Sequence, residues 1–159
     1  TMVNILEGLN VDALGINCSL GPVELTPIIN EVLKTASLPV ILQPNAGLPC
    51  LVAGKTCYNM DSDTFVAESI KHVKNGVRII GGCCGTTPEF IAKLKKAIPA
   101  KPVITTPVKA TRVSSGSKTV EFGHHVVVCG ERLNPTGKKK LQEELRAGKL
   151  DRSFKTAAL

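Results

Sequence analysis

The sequence has no tryptophan, one tyrosine and four phenylalanines, so any core it builds is aliphatic. It has no apolar run near the roughly 18 residues that a membrane-spanning helix needs. Its N-terminus lacks the basic-then-apolar order of a secretory signal. Together these absences predict a cytoplasmic protein with no membrane partner. Six cysteines in a chain without secretory features read as thiols or metal ligands rather than as a disulfide framework. With 159 residues, 43% of them hydrophobic, there is material for one domain.

Charge is unevenly spread. Residues 1–98 hold eight basic and eight acidic side chains, whereas residues 99–159 hold twelve and five, so the whole net charge of +7 lies after residue 98. A basic tail raises the question of nucleic acid, but this one offers only Phe122 and Phe154 for stacking and carries no recognition motif. It is read as a solvated basic segment, and nucleic acid is not expected as a partner.

Three apolar, β-branched stretches alternate with three helix-like stretches, the pattern of parallel βαβ units in an α/β fold. The strand candidates are Asp12 to Cys18, Leu38 to Asn45 and Val77 to Cys83, each expected to be buried on both faces. Thr26-Pro27 and Thr87-Pro88 pair an N-cap hydroxyl with a proline in the first turn. Apolar stripes follow at Ile28, Ile29, Val32, Leu33 and Ala36 and at Phe90, Ile91, Leu94 and Ile98. The helix between them carries Phe65, Val66, Ile70 and Val73 on one face and ends at Gly76. Lys93, Lys95 and Lys96 suit the dipole at the C-terminal end of the last helix and need no ligand.

After residue 98 the stretch 99–122, rich in Pro, Thr, Ser and Lys, reads as a linker. Residues 123–159 then open with "HHVVVCG", read as a buried strand, and continue into a polar helix-prone stretch. One strand and part of a helix make no core, and three parallel strands leave two open sheet edges. Both ends are therefore expected to continue into structure outside this sequence.

Cys18 closes the first strand, Cys83 and Cys84 close the third, and Asn45 closes the strand between. The C-terminal ends of parallel strands are where loops converge and chemistry collects. Three thiolates with an open fourth position form a catalytic zinc pattern, since a closed structural site takes four ligands. Adjacent cysteines on a regular strand point to opposite faces. Both reach one ion only if the backbone turns, and Gly81, Gly82 and Gly85 allow that. Spectator thiols and a strained vicinal disulfide are the alternatives. Cys50 and Cys57 fall in a loop, Cys129 reads as a core thiol, and His72, His124 and His125 read as solvent-facing or local. No acid–base catalytic residue is assigned.

The stretches "DALGINCSLGP", "QPNAG" and "GGCCGTTPEF", in this order and spacing, resemble the C-terminal third of the homocysteine S-methyltransferase barrel. "GERLNPTG" resembles the start of the pterin-binding domain that follows that barrel in cobalamin-dependent methionine synthases. The likeness covers most of residues 3–140. It implies that residues 1–98 are the last three βα units of a (β/α)8 barrel. Residues 123–159 would then be the first strand and helix start of a second barrel.

The resemblance further implies zinc on Cys18, Cys83 and Cys84, with the sulfur of homocysteine as fourth ligand. Asn45 is the candidate for an oxygen ligand or nearby polar contact without substrate; a plain turn-forming Asn is the alternative. Glu131 and Asn134 are candidates at the pterin mouth. Methylcobalamin and methyltetrahydrofolate would act through domains outside this chain. The family's first barrel half, with its glycine-rich loop and the acidic residues for the homocysteine amino group, is absent, as is a cobalamin-binding segment. The chain alone is expected to be inactive. Three competing readings remain: a betaine- or S-methylmethionine-dependent relative, a non-catalytic zinc module, and a polyanion-binding module acting through the basic tail.

Overall fold

Three short parallel strands, β1 (Leu14–Asn17), β2 (Val40–Gln43) and β5 (Ile79–Ile80), form a sheet in the order β1-β2-β5. The computed structural model describes residues 1–100, 110–129 and 134–149. Leu14 pairs with Val40 and Asn17 with Gln43, while Ile41 and Leu42 pair with Ile79 and Ile80. The strands are shorter than their apolar stretches suggest: β1 ends before Cys18, β2 before Pro44 and β5 before Gly81. Burial is also one-sided: Val40 and Leu42 are buried, whereas Ile79 on β5 is 51% exposed. The expectation of two buried faces is corrected, since the helices described here cover one face only.

Helices α1 (Met2–Glu7) and α2 (Thr26–Thr35) pack with that face. Val3, Leu14, Ile29, Val32, Val40 and Leu42 belong to one aliphatic cluster, and burying each large side chain contributes roughly 2 kcal/mol. Ile28, placed on the stripe by spacing, is 43% exposed. Thr26 does not cap α2. The turn before it is already helical at Leu25, so the Thr26 hydroxyl donates back to the Pro22 carbonyl at 3.3 Å.

Helices α3 (Ser62–Asn75) and α4 (Pro88–Ala97) pack on each other. Phe65 and Phe90 meet edge-to-face at 5.4 Å between centroids. Asp61 caps α3, its carboxylate accepting from the amides of Asp63 and Thr64 at 2.9 Å each, and Gly76 ends it at φ 120°. Thr87 stands at the N-cap of α4 without a side-chain capping bond. Lys93 bridges the two helices through Asp63 at 2.8 Å and Glu89 at 3.2 Å. His72 is not solvent-facing. It is buried, and its Nε2–H donates to the Pro22 carbonyl at 2.7 Å. It lies one turn beyond buried Ser69, so the inner stripe of α3 runs through Phe65, Ser69 and His72.

Two hairpins interrupt the βα alternation. Strands β3 (Pro49–Val52) and β4 (Lys55–Tyr58) pair through a two-residue turn at Ala53-Gly54, with φ 49° and 75°. Strands β6 (Thr111–Ser114) and β7 (Thr119–Phe122) lie within the stretch read as a linker. That hairpin is anchored: Asn4 donates to Ser114 at 2.8 Å, and Arg112 donates to the Thr35 carbonyl at the end of α2 at 3.2 Å while pairing with Glu121 at 2.7 Å. A featureless linker is therefore corrected to one carrying a docked hairpin. The first compact unit runs Thr1–Gly123.

The second unit is His124–Leu159. The strand expected near Val126 does not form among the described residues; Val126 and Val128 are 89% and 92% exposed, and Cys129 is exposed rather than a core thiol. An apolar run without a strand to pair with has nothing to hold it extended in a sheet. Helix α5 (Lys139–Arg146) follows and buries no side chain.

Candidate metal centre

The sheet's hydrogen-bonding continues past the ends of its strands, and this continuation builds the site. The Cys18 amide donates to the Gln43 carbonyl at 2.9 Å and the Asn45 amide to the Leu20 carbonyl at 3.0 Å. On the other side the Cys83 amide donates to the Pro44 carbonyl, and the Ala46 amide to the Cys84 carbonyl, each at 2.8 Å. The segment Pro44–Ala46 thus ties the loop after β1 to the loop after β5.

The backbone leaves strand geometry where each cysteine sits. Cys18 and Ser19 lie in the left-handed region at φ 67° and 66°, a strained conformation for L residues that marks functional turns. After β5 the chain turns at Cys84-Gly85, with Gly85 at φ 79°. The turn is stapled by Thr86, whose amide and hydroxyl donate to the Cys83 carbonyl at 3.2 and 2.6 Å. A Cβ at Gly82 would fall 2.6 Å from the Thr86 side chain, and one at Gly85 2.5 Å from Tyr58. Glycine is needed there for space as well as for φ.

These turns bring Cys18, Cys83 and Cys84 together. Sulfur–sulfur distances are 3.6 Å for Cys18–Cys84 and 3.9 Å for Cys83–Cys84, and all three sulfurs lie within 4.8 Å of one another. A tetrahedron of zinc–sulfur bonds of about 2.3 Å has edges of about 3.8 Å. The donor set fits one face of it. All three cysteines are free thiols, so the vicinal disulfide is not formed.

Hydrogen bonding divides the protons unequally. The Ser19 amide, followed by the Cys83 and Cys84 thiols, holds the Cys18 thiol below its ordinary range. Cys83 is pushed up, chiefly by its hydrogen bond to Cys18 and then by burial. Asn45 is 2% exposed, and its Oδ1 accepts the Cys84 amide at 3.1 Å. A carboxamide oxygen with one bond retains a second lone pair.

Two residues at the site carried no signal in the sequence reading. Asn17 Oδ1 lies 3.9 Å from the Cys83 sulfur. Tyr58, the single tyrosine, ends β4 with its ring over Gly85. Cys84 and burial together push the phenol up. Both were hidden because strand pairing, not local sequence, delivers them. Cys50 and Cys57 face each other across the β3–β4 hairpin, with the Cys50 thiol 3.4 Å from the Cys57 carbonyl, outside the sulfur cluster. Asn134 accepts the Thr136 amide at 2.9 Å, and Glu131 lies outside the described residues.

Comparison with known proteins bears on the same residues. The chain is similar to the methionine synthase of Mycobacterium leprae (strain TN), 34% identical over 151 residues, and to that of Mycobacterium tuberculosis (strain ATCC 25618 / H37Rv), 35% identical over 150 residues. Each alignment covers 89% of this chain but 12% of the relative, so the chain spans about an eighth of the length of the curated relatives it matches. Residues 1–98, which carry all three clustered cysteines, match the family model described as homocysteine S-methyltransferase, and the chain belongs to that family.

Proposed function

We propose that this chain is the zinc-bearing portion of a homocysteine S-methyltransferase that prepares homocysteine sulfur for methylation to methionine. The observation that carries the reading is the sulfur triangle of Cys18, Cys83 and Cys84, whose measured edges of 3.6 and 3.9 Å suit tetrahedral zinc. In this reading the α/β unit is the last part of a (β/α)8 barrel, with the triangle at the C-terminal mouth of its strands. Bound zinc supplies Lewis acidity that keeps the substrate's sulfur a thiolate at neutral pH.

The chain's own residues set up that chemistry. Three cysteines contribute negative charge that moderates the metal and leaves the substrate sulfur electron-rich. Ser19 favours the Cys18 thiolate through a hydrogen bond from its amide. Asn45 Oδ1 holds the Cys84 amide and offers its spare lone pair to the site when substrate is absent. The left-handed turn at Cys18 and the turn at Gly85 fix the sulfurs before any ligand arrives, which lowers the ordering cost of binding.

The proposed methyl donor is methylcobalamin, recharged from methyltetrahydrofolate through domains beyond this chain. Similarity to the two methionine synthases covers 89% of the chain and so extends well past residue 98, into the segment that includes "GERLNPTG". A betaine-type relative has no need of that segment. Elemental analysis of the purified chain beside Cys83→Ser tests the metal assignment. About one zinc per chain, lost in the variant, is expected; equal zinc in both, or a wild-type chain that takes up no zinc when it is offered, would refute it.

A further inference from the structure

Tyr58 is the residue at this site that the proposed chemistry leaves unexplained. It is delivered by a different element from the cysteines: the β3–β4 hairpin, in which Pro49 pairs with Tyr58. The hairpin's exit is anchored to the same short segment as the sulfur cluster. The Met60 amide donates to the Ala46 carbonyl at 3.1 Å, and the Ala46 amide donates to the Cys84 carbonyl at 2.8 Å. The Tyr58 ring also packs against the cluster of Ala46, Phe65, Phe90 and Leu94.

Contact with the metal-binding turn is close. An ideal Cβ at Gly85 would lie 2.5 Å from both Cβ and Cγ of Tyr58, so the ring occupies the space a side chain at position 85 would fill. The glycine and the tyrosine are complementary, and the turn after Cys84 cannot shift toward the hairpin without moving the ring. Metal-binding side chains are commonly held in orientation by the groups packed around them.

We propose that Tyr58 is a positioning residue of the sulfur cluster: its ring, seated on Gly85, fixes the turn after Cys84 and so holds the Cys84 sulfur in place beside the other two. The inference rests on the zinc reading above, and its tests separate the two.

Cobalt(II) is the probe for the metal-loaded chain, because thiolate ligation gives it sulfur-to-metal charge-transfer absorption. Tyr58→Ala removes the ring, whereas Tyr58→Phe keeps it on Gly85. Metal affinity against a chromophoric chelator is expected to fall about tenfold in Tyr58→Ala and to stay at the wild-type value in Tyr58→Phe, with the far-ultraviolet circular dichroism unchanged in both. Unchanged affinity in Tyr58→Ala, or an equal loss in Tyr58→Phe, would overturn the proposal. Alkylation of the metal-free chain by iodoacetamide, followed residue by residue with mass spectrometry, provides a readout that needs no metal. Tyr58→Ala is expected to speed Cys84 relative to Cys83 and to exposed Cys129 as an internal reference. Equal relative rates in wild type and variant would also overturn it. A wild-type chain without a thiolate–cobalt band would sink the zinc reading, and the alkylation result alone would then decide the Tyr58 contact.

Discussion

Cys18 and Ser19 adopt left-handed φ angles in succession, and this local strain aims the Cys18 sulfur at the loop after β5. Asn45 holds that loop in place: it is 2% exposed and its Oδ1 accepts the Cys84 amide at 3.1 Å. Asn45→Ala leaves the part-buried Cys84 amide without its partner. A loss of about 2 kcal/mol in chemical denaturation is expected, together with weakened metal binding; unchanged stability would show that the amide finds another acceptor. The gathering of Cys18, Cys83 and Cys84 was legible in the sequence, because each ends an apolar stretch and the flanking glycines announce a turn. Tyr58 and Asn17 were not, since their approach to the site depends on strand register and on where β1 ends. His72 was misread for a related reason: its polarity suggested solvent, but its spacing from Phe65 and Ser69 puts it on the buried stripe of α3.

Helix termini and hairpins decide how far local sequence rules reach. Proline and threonine located the starts of α2 and α4, yet neither threonine makes the capping bond, and the working cap is Asp61 on α3. The amide and hydroxyl of Thr64, with the Asp63 amide, hold the Asp61 carboxyl below its usual range. A depressed folded-state value means that the stabilisation is complete above the unfolded value near 3.9 and is lost as pH falls through the folded one. Asp61→Ala is therefore expected to lower the thermal midpoint by about 3 °C at neutral pH. The gap from wild type should narrow as pH falls below about 4; a gap that widens in acid would contradict the assignment. The hairpins escaped the sequence reading because four-residue strands carry too few alternations to stand out, and their stability comes from cross-strand partners such as Arg112 and Glu121. The apolar run near Val126 failed the opposite way: it has strand composition but no partner strand among the described residues.

At the scale of the molecule, an α/β unit with three parallel strands carries a preformed sulfur triangle, while the chain spans 12% of the length of its methionine synthase relatives. The purified chain is expected to transfer no methyl group from methylcobalamin to homocysteine by itself, because the residues proposed to hold the amino acid and the cobalamin lie outside it. Sustained production of methionine by this chain alone would contradict that division of labour. The central claim is that the three cysteines share one zinc ion, and X-ray absorption at the zinc edge reads it most directly. The zinc-loaded chain is expected to show three sulfur scatterers at about 2.3 Å and one lighter ligand, falling to two sulfurs in Cys84→Ser. Zinc with fewer than three sulfurs in the wild type, or a spectrum unmoved by Cys84→Ser, would contradict the account.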